Sequence, residues 1–157
     1  MLPKLKILFL CTGNSCRSQM AEGWARQLKS DRIEAYSAGV DPAELNSLAV
    51  RVMAEAGVEI EDQRSKDVRE LLDVGFDYVV TVCDYAREGC PVFPGDTRVV
   101  HAGFDDPPRL ASSARSEEEA LPHYRRVRDE IRAFVEMLPD SLGPDGRVEE
   151  APPHDEQ

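Results

Sequence analysis

The chain has 157 residues, of which 41% are hydrophobic, and this suits one globular domain with one core. Nineteen basic residues against thirty acidic ones give a net charge of −11, which argues against a nucleic-acid binder because such proteins present a basic face. No stretch approaches the ~20 apolar residues that a membrane helix needs, and no signal peptide is recognisable. The sequence therefore predicts a cytoplasmic protein whose four cysteines are thiols.

Apolar runs and helical stripes alternate along the first half of the chain. Residues 4–10 predict a buried strand, residues 11–15 a loop, and the apolar spacing from Met20 to Leu28 a helix. Residues 33–37 predict a weaker strand. A second helix carries apolar residues from Leu45 to Met53 and ends at Gly57.

The second half continues this alternation and ends in an acidic, proline-rich tail. The predicted elements are a short helix over 68–74, strands over 78–82 and 97–101, a helical turn over 84–88, a loop over 103–114 and a final helix from Ser116 to Leu138. The pattern indicates one α/β domain over residues 1–138, with helices on both faces of a parallel sheet. Residues 139–157 are predicted to be disordered.

Three polar segments follow predicted strands: residues 11–18, 83–90 and 103–107. Right-handed crossovers bring the loops after parallel strands to one edge of the sheet, where ligands bind in such folds. We therefore expect these segments to form one site.

The loop Cys-Thr-Gly-Asn-Ser-Cys-Arg-Ser at 11–18 has the composition of an oxyanion site with a nucleophile. Its small residues let backbone N–H groups converge, the following helix adds its positive end, and Arg17 offers a planar fork of donors. The same positive field favours the thiolate of Cys11, and Ser18 is placed to donate a hydrogen bond to it. The alternative is that Cys11 merely ends a buried strand, and Cys16 is interpreted as packing behind the loop. The candidate oxyanion-binding residues are Thr12, Gly13, Asn14, Ser15, Cys16 and Arg17.

Two further groups of residues bear on the chemistry. A proton donor for a leaving oxygen is available at Asp105 or Asp106, and spacing alone does not choose between them. A reductase must supply two electrons and therefore needs both Cys83 and Cys90, whereas a phosphatase needs neither. No C-x2-C spacing supports zinc, and no metal or base role is predicted for His101, His123 or His154.

The residues from Cys11 to Gly23, Cys-Thr-Gly-Asn-Ser-Cys-Arg-Ser-Gln-Met-Ala-Glu-Gly, resemble the thioredoxin-coupled arsenate reductases, which share their fold with low-molecular-weight protein-tyrosine phosphatases. The segments 36–39, 82–91, 101–107 and 126–131 are similar as well, so the resemblance covers about residues 4–138. It implies a three-layer α/β/α fold with a four-stranded parallel sheet.

The resemblance also implies roles for single residues. Cys11 attacks arsenate, which Arg17 and the loop N–H groups hold; Ser18 supports the thiolate; and Asp106 protonates the departing oxygen. Cys83 then attacks the Cys11 adduct and releases arsenite, and Cys90 forms a Cys83–Cys90 disulfide for thioredoxin to reduce. No tightly bound cofactor is implied, and another small thiol system is the alternative donor.

The sequence departs from the family pattern in three places. Some members bind potassium through residues matching Asn14, Glu22, Ser37 and an aspartate, but Lys66 stands at the aspartate position and its ammonium is predicted to take the place of the cation. Ala102 replaces a common tryptophan, and the loop over 108–119 is longer than usual.

Two other functions remain open. A tyrosine phosphatase usually places aromatic residues soon after the Asp-Pro pair, whereas Pro108, Arg109 and Leu110 follow here, so only weak activity on small aryl phosphates is expected. A non-enzymatic thiol sensor or arsenite-binding protein would use the cysteines as soft ligands and would not need Asp106. Nothing in the sequence indicates an obligate dimer, so a monomer is predicted.

Overall fold

The computed structural model describes residues 3–142, and its centre is one parallel β-sheet. The strands lie in the order β2-β1-β3-β4. Residues Ile7 to Leu10 of the central strand β1 are fully buried, because helices cover the sheet. The strands are β1 (Leu5–Cys11), β2 (Ile33–Gly39), β3 (Tyr78–Thr81) and β4 (Arg98–His101). The predicted four-stranded sheet flanked by helices is confirmed.

Five α-helices and a single 3-10 turn over Val68–Leu71 complete the described fold, and none of these helices is long and apolar enough to cross a membrane. Two helix starts follow from capping. Asn46 Oδ1 accepts hydrogen bonds from the N–H groups of Leu48 and Ala49, at 2.9 and 3.0 Å, and Ser116 Oγ accepts one from Glu119 N at 3.2 Å. The helices are α1 (Arg17–Leu28), α2 (Ser47–Glu55), α3 (Asp84–Glu88), α4 (Pro107–Leu110) and α5 (Glu117–Glu136).

The structure differs from the predicted elements at three places. The predicted helix over 68–74 is a 3-10 turn of four residues, Val68–Leu71. Residues 107–110, predicted as loop, form α4, because the two prolines stand at the start of a helix, where a missing N–H costs nothing. Residues 139–142, predicted as the start of the tail, pack on the domain: Leu142 is 7% exposed, and Asp140 pairs with Arg32 at 2.9 Å. The remainder of the predicted disordered tail, residues 143–157, lies outside the described residues.

Candidate active site

The loops that follow β1, β3 and β4 meet at one edge of the sheet and line a cleft of about 940 Å³. The three segments that sequence analysis placed together all contribute to it, as the parallel topology requires. The cleft is lined by Thr12, Arg17, Cys83, Asp84, Tyr85, Gly103, Phe104, Asp105, Asp106, Arg109, Leu110, Ser112 and Ser113. The last four show that the long loop over 108–119 forms one wall of the cleft.

Backbone hydrogen bonds from the segment after β2 shape the loop between β1 and α1. The carbonyls of residues 11, 12, 13 and 15 accept N–H groups of residues 40, 41, 43 and 46 at 2.8–3.1 Å. Because the C=O and N–H of one peptide plane point in opposite directions, the N–H groups of residues 12, 13, 14 and 16 are turned away from that segment. Loop amide groups that are turned away from a packed segment in this way are available to bind an anion.

The close fit between this loop and β2 depends on Gly39, whose neighbour across the sheet is Cys11. A Cβ atom at Gly39 would lie 2.7 Å from Thr12 O and 2.9 Å from both Asn14 N and Gly13 C. In the sequence, Gly39 stands out only as the last residue of the similar segment 36–39. Its role in shaping the loop comes from the parallel pairing of β1 and β2, which no local pattern reveals.

A buried chain of hydrogen bonds leads to the sulfur of Cys11. Asn14 Nδ2 donates to Ser18 Oγ at 2.8 Å, and Ser18 Oγ lies 2.9 Å from Cys11 Sγ. Since the Ser18 oxygen already accepts from Asn14, its own proton is free to be donated to the sulfur, which suits a thiolate. Asn14 adopts a left-handed backbone conformation, with φ at 50°.

Residues outside the loop hold Asn14 in this conformation. Gln19 Nε2 and Ser65 Oγ donate to the Asn14 carbonyl oxygen at 2.8 and 2.7 Å, and Lys66 N donates to Asn14 Oδ1 at 2.9 Å. Sequence reasoning did not find Gln19 or Ser65. Ser65 lies 51 positions from Asn14 in the chain, so no spacing rule connects them.

Arg17 connects the oxyanion loop to the segment after β4. Its Nη1 donates to Phe104 O at 2.9 Å, and its Nη2 lies 3.7 Å from Asp106 Oδ1. Asp105 is instead engaged by Arg126, whose Nη2 donates to Asp105 Oδ2 at 3.0 Å. Of the two adjacent carboxylates, Asp106 therefore stands beside the predicted anion-binding arginine, and Asp105 is held by helix α5.

Cys16 is buried behind the loop, with 3% exposure. Burial raises the pKa of its thiol well above the usual range, and the neighbouring Cys11 raises it further. A thiol that stays protonated is a poor nucleophile, so the structure supports the interpretation of Cys16 as a packing residue.

Cys83 lies directly beside the oxyanion loop. Its sulfur is 3.2 Å from Thr12 Oγ1 and accepts a hydrogen bond from Ala86 N at 3.3 Å, as the N-cap of α3. Cys90 follows the other end of α3 and is half-buried, and burial raises the pKa of its thiol. All four cysteines are free thiols. The structure thus places Cys83 at the loop and leaves α3 between Cys83 and Cys90.

His101 links β4 to the start of α3, a contact that sequence analysis did not anticipate. Its Nδ1 lies 2.7 Å from Thr81 Oγ1, and its Nε2 lies 3.2 Å from Asp84 Oδ1. Burial, with a smaller contribution from Arg87, lowers the pKa of His101. His123 lies on α5, and His154 lies outside the described residues.

The residues matched by resemblance to a potassium site, Asn14, Glu22 and Ser37, are engaged by other protein groups in this structure. The buried Glu22 carboxylate accepts a hydrogen bond from Ser37 Oγ and pairs with Arg26 Nη2, each at 2.5 Å. Arg26 thus makes the ion pair with Glu22, and the ammonium of Lys66, predicted to take the place of the cation, donates to Arg64 O at 2.7 Å. Within residues 3–142, no cluster of three His, Cys, Asp or Glu side chains is arranged to hold a metal.

Comparisons with known proteins agree with this geometry. Residues 6–148 match the low molecular weight phosphotyrosine protein phosphatase family. An arsenate reductase from Halalkalibacterium halodurans is 46% identical over 138 residues, which cover 88% of this chain and 97% of the relative. A solved arsenate reductase in its phosphate binding state superposes with a TM-score of 0.67 at 30% identity, over 85% of this chain and 95% of the other. A low molecular weight protein tyrosine phosphatase from T. tengcongensis gives 0.67 at 28% identity, over 86% and 97%. The chain therefore belongs to the low molecular weight phosphotyrosine protein phosphatase family, in which arsenate reductases are among its relatives.

Proposed function

We propose that the protein is an arsenate reductase that uses Cys11, Cys83 and Cys90 in sequence. The observation that carries the proposal is the position of Cys83, whose sulfur lies 3.2 Å from Thr12 Oγ1 at the edge of the oxyanion loop. Phosphate ester hydrolysis has no use for a second thiol at this place. The similarity to an arsenate reductase over most of both chains supports the same conclusion.

In the first step, the Cys11 thiolate attacks the arsenic of arsenate. A sulfur–arsenic bond forms, an arsenic–oxygen bond breaks, and Asp106 supplies the proton with which that oxygen leaves as water. Arg17 and the loop N–H groups hold the remaining oxygens, and the Ser18 hydroxyl stabilises the thiolate before attack.

In the second step, Cys83 attacks the Cys11 sulfur. A Cys11–Cys83 disulfide forms, and the electron pair of the broken sulfur–arsenic bond stays on arsenic, so that As(V) becomes As(III) and arsenite leaves. Cys90 then attacks Cys83, which produces a Cys83–Cys90 disulfide and returns Cys11 as a thiolate. A dithiol protein such as thioredoxin supplies the two electrons that reduce this disulfide.

The last exchange requires a movement of α3. The five residues of α3 span about 7.5 Å at 1.5 Å per residue, whereas a disulfide joins Cα atoms usually 4.4–6.8 Å apart. Cys83 caps one end of α3 and Cys90 follows the other, so α3 must unwind for their sulfurs to meet. Burial raises the pKa of Cys90, so this exchange should become faster as the pH rises.

The test is arsenate-dependent NADPH oxidation in the presence of thioredoxin and thioredoxin reductase. Wild type should turn over steadily, Cys90→Ser should complete at most one turnover, and Cys16→Ser, the matched control, should retain steady turnover. Steady turnover in Cys90→Ser would contradict the relay. Loss of steady turnover in folded Cys16→Ser would show that the loss in Cys90→Ser is not specific to the relay.

The second candidate function is hydrolysis of small aryl phosphates, and one observation favours it. Tyr85 is 60% exposed and lines the cleft, so an aromatic side chain is present on the α3 side although none follows Asp106 directly. Rapid hydrolysis of p-nitrophenyl phosphate without arsenate-dependent NADPH oxidation would favour a phosphatase. We also propose that the protein is cytoplasmic and monomeric, as the sequence predicts.

A further inference from the structure

One positive side chain in the wall of the cleft has no partner among the described residues. Arg17 is engaged by Phe104 O and Asp106, and Arg126 by Asp105 and Glu130. Arg109 lines the same cleft, yet within residues 3–142 its guanidinium makes no hydrogen bond or ion pair. A charge of this kind remains available to a ligand.

The backbone that carries Arg109 is held in place. Pro107 is buried at the start of α4, and the carbonyls of Asp106 and Pro107 accept hydrogen bonds from Leu110 N at 3.0 Å and Ala111 N at 2.9 Å. Proline fixes φ, so the first turn of α4 has little conformational freedom to lose. Arg109 is therefore presented to the cleft from a short rigid element next to Asp106.

The charges around the cleft explain why an unpaired arginine would matter for anion binding there. The whole chain carries −11, and Asp84, Asp105 and Asp106 all line the cleft. Arg126 compensates Asp105, and Arg17 lies beside Asp106. Without Arg109 the entrance would present no uncompensated positive charge to an incoming dianion, which the acidic surface repels.

We propose that Arg109 captures the tetrahedral dianion at the cleft entrance before it reaches the oxyanion loop. The inference deepens the proposed function, since arsenate is the substrate only if that function holds. Capture itself requires only an oxyanion, and inorganic phosphate has the same shape and charge. Arg109 acts before the chemical step, so it governs how much anion is bound and not how fast the bound anion reacts.

The experiment compares Arg109→Gln with Arg98→Gln, a matched control. Arg98 is exposed at the amino end of β4, at the sheet edge opposite the cleft, and its substitution removes the same charge from the whole protein. The first readout is the concentration of inorganic phosphate that protects Cys11 from iodoacetamide, followed by mass spectrometry of the Cys11 peptide. The second is the steady-state kinetics of arsenate reduction.

Arg109→Gln should need roughly three- to ten-fold more phosphate for protection and should show a similar rise in KM for arsenate, with kcat changed less than about two-fold. The effect should shrink at high ionic strength, and Arg109→Lys should restore most of the binding. Arg98→Gln should behave as wild type.

Unchanged phosphate protection in Arg109→Gln would overturn the proposal, as would an equal loss in Arg98→Gln or a loss confined to kcat. Phosphate protection does not depend on reductase activity. Weakened protection in a protein that fails to reduce arsenate would therefore leave the capture role standing and refute only the proposed function.

Discussion

Replacing Gly39 with alanine should displace the oxyanion loop without removing any group that takes part in the chemistry. The added Cβ would lie 2.7 Å from Thr12 O and 2.9 Å from Asn14 N. Both are backbone atoms of a loop whose carbonyls are tied to the segment after β2, so no side-chain rotation relieves the contact. Restoring van der Waals separation requires the loop and β2 to move apart by roughly 0.5–1 Å.

A shift of that size is large for an anion site. A misplacement of about 1 Å can lower activity by about 100-fold, so we expect kcat/KM for arsenate to fall by about 30- to 100-fold. The crowding should also lower the free energy of unfolding by about 1–3 kcal/mol. The assays are arsenate-dependent NADPH oxidation at a temperature where the variant is folded, and urea unfolding followed by circular dichroism.

Gly23→Ala is the matched control. Its Cβ would lie 2.6 Å from Ile60 Cγ2 and 3.2 Å from both Met53 Cε and Val58 Cγ1, all side-chain atoms of the core. We expect a similar loss of stability, about 1–3 kcal/mol, with kcat/KM within about two-fold of wild type. Folded Gly39→Ala with nearly full activity would refute the reasoning, and so would an equal loss of activity in folded Gly23→Ala.

Three further predictions concern the acid, the cation site and a histidine. Asp106→Asn should lower arsenate turnover by about 10²–10⁴-fold, as expected for loss of a general acid. If the variant behaved as wild type, a thiol sensor would be favoured instead. Added potassium at constant ionic strength should leave activity and melting temperature unchanged, because Arg26 already pairs with Glu22; a clear rise in either would contradict this. His101 has a lowered pKa, so folding favours its neutral form, and the stability it contributes is present above the ordinary value of about 6.5 and lost as the pH falls below it. His101→Gln, which also removes the contact with Asp84, should therefore lose less unfolding free energy than wild type between about pH 7 and 5. The measurement is urea unfolding at several pH values, and an identical pH dependence in both proteins would count against this assignment.

The elements and the kind of chemistry could be predicted because their signals are local. The buried strand, the loop of small residues and the helix that follows are read from neighbours within one or two turns of the chain. A cysteine, an arginine and a serine in such a loop indicate an oxyanion site wherever the fold places it. The helix α4 was missed because Pro107 and Pro108, which usually signal a loop, also suit the first turn of a helix.

The arrangement of the site was decided by contacts between residues far apart in the chain. Phe104 O accepts a hydrogen bond from Arg17, which lies 87 positions away in the chain. Arg126, 21 positions from Asp105, donates to the Asp105 carboxylate and leaves Asp106 beside the oxyanion loop. The sequence by itself determined the strand–loop–helix pattern and the reactive residue types, since both depend on short-range spacing. Only the tertiary structure decided which carboxylate lies beside Arg17, which cation pairs with Glu22 and where Arg109 lies, because burial and pairing are set by the parallel sheet that joins distant segments.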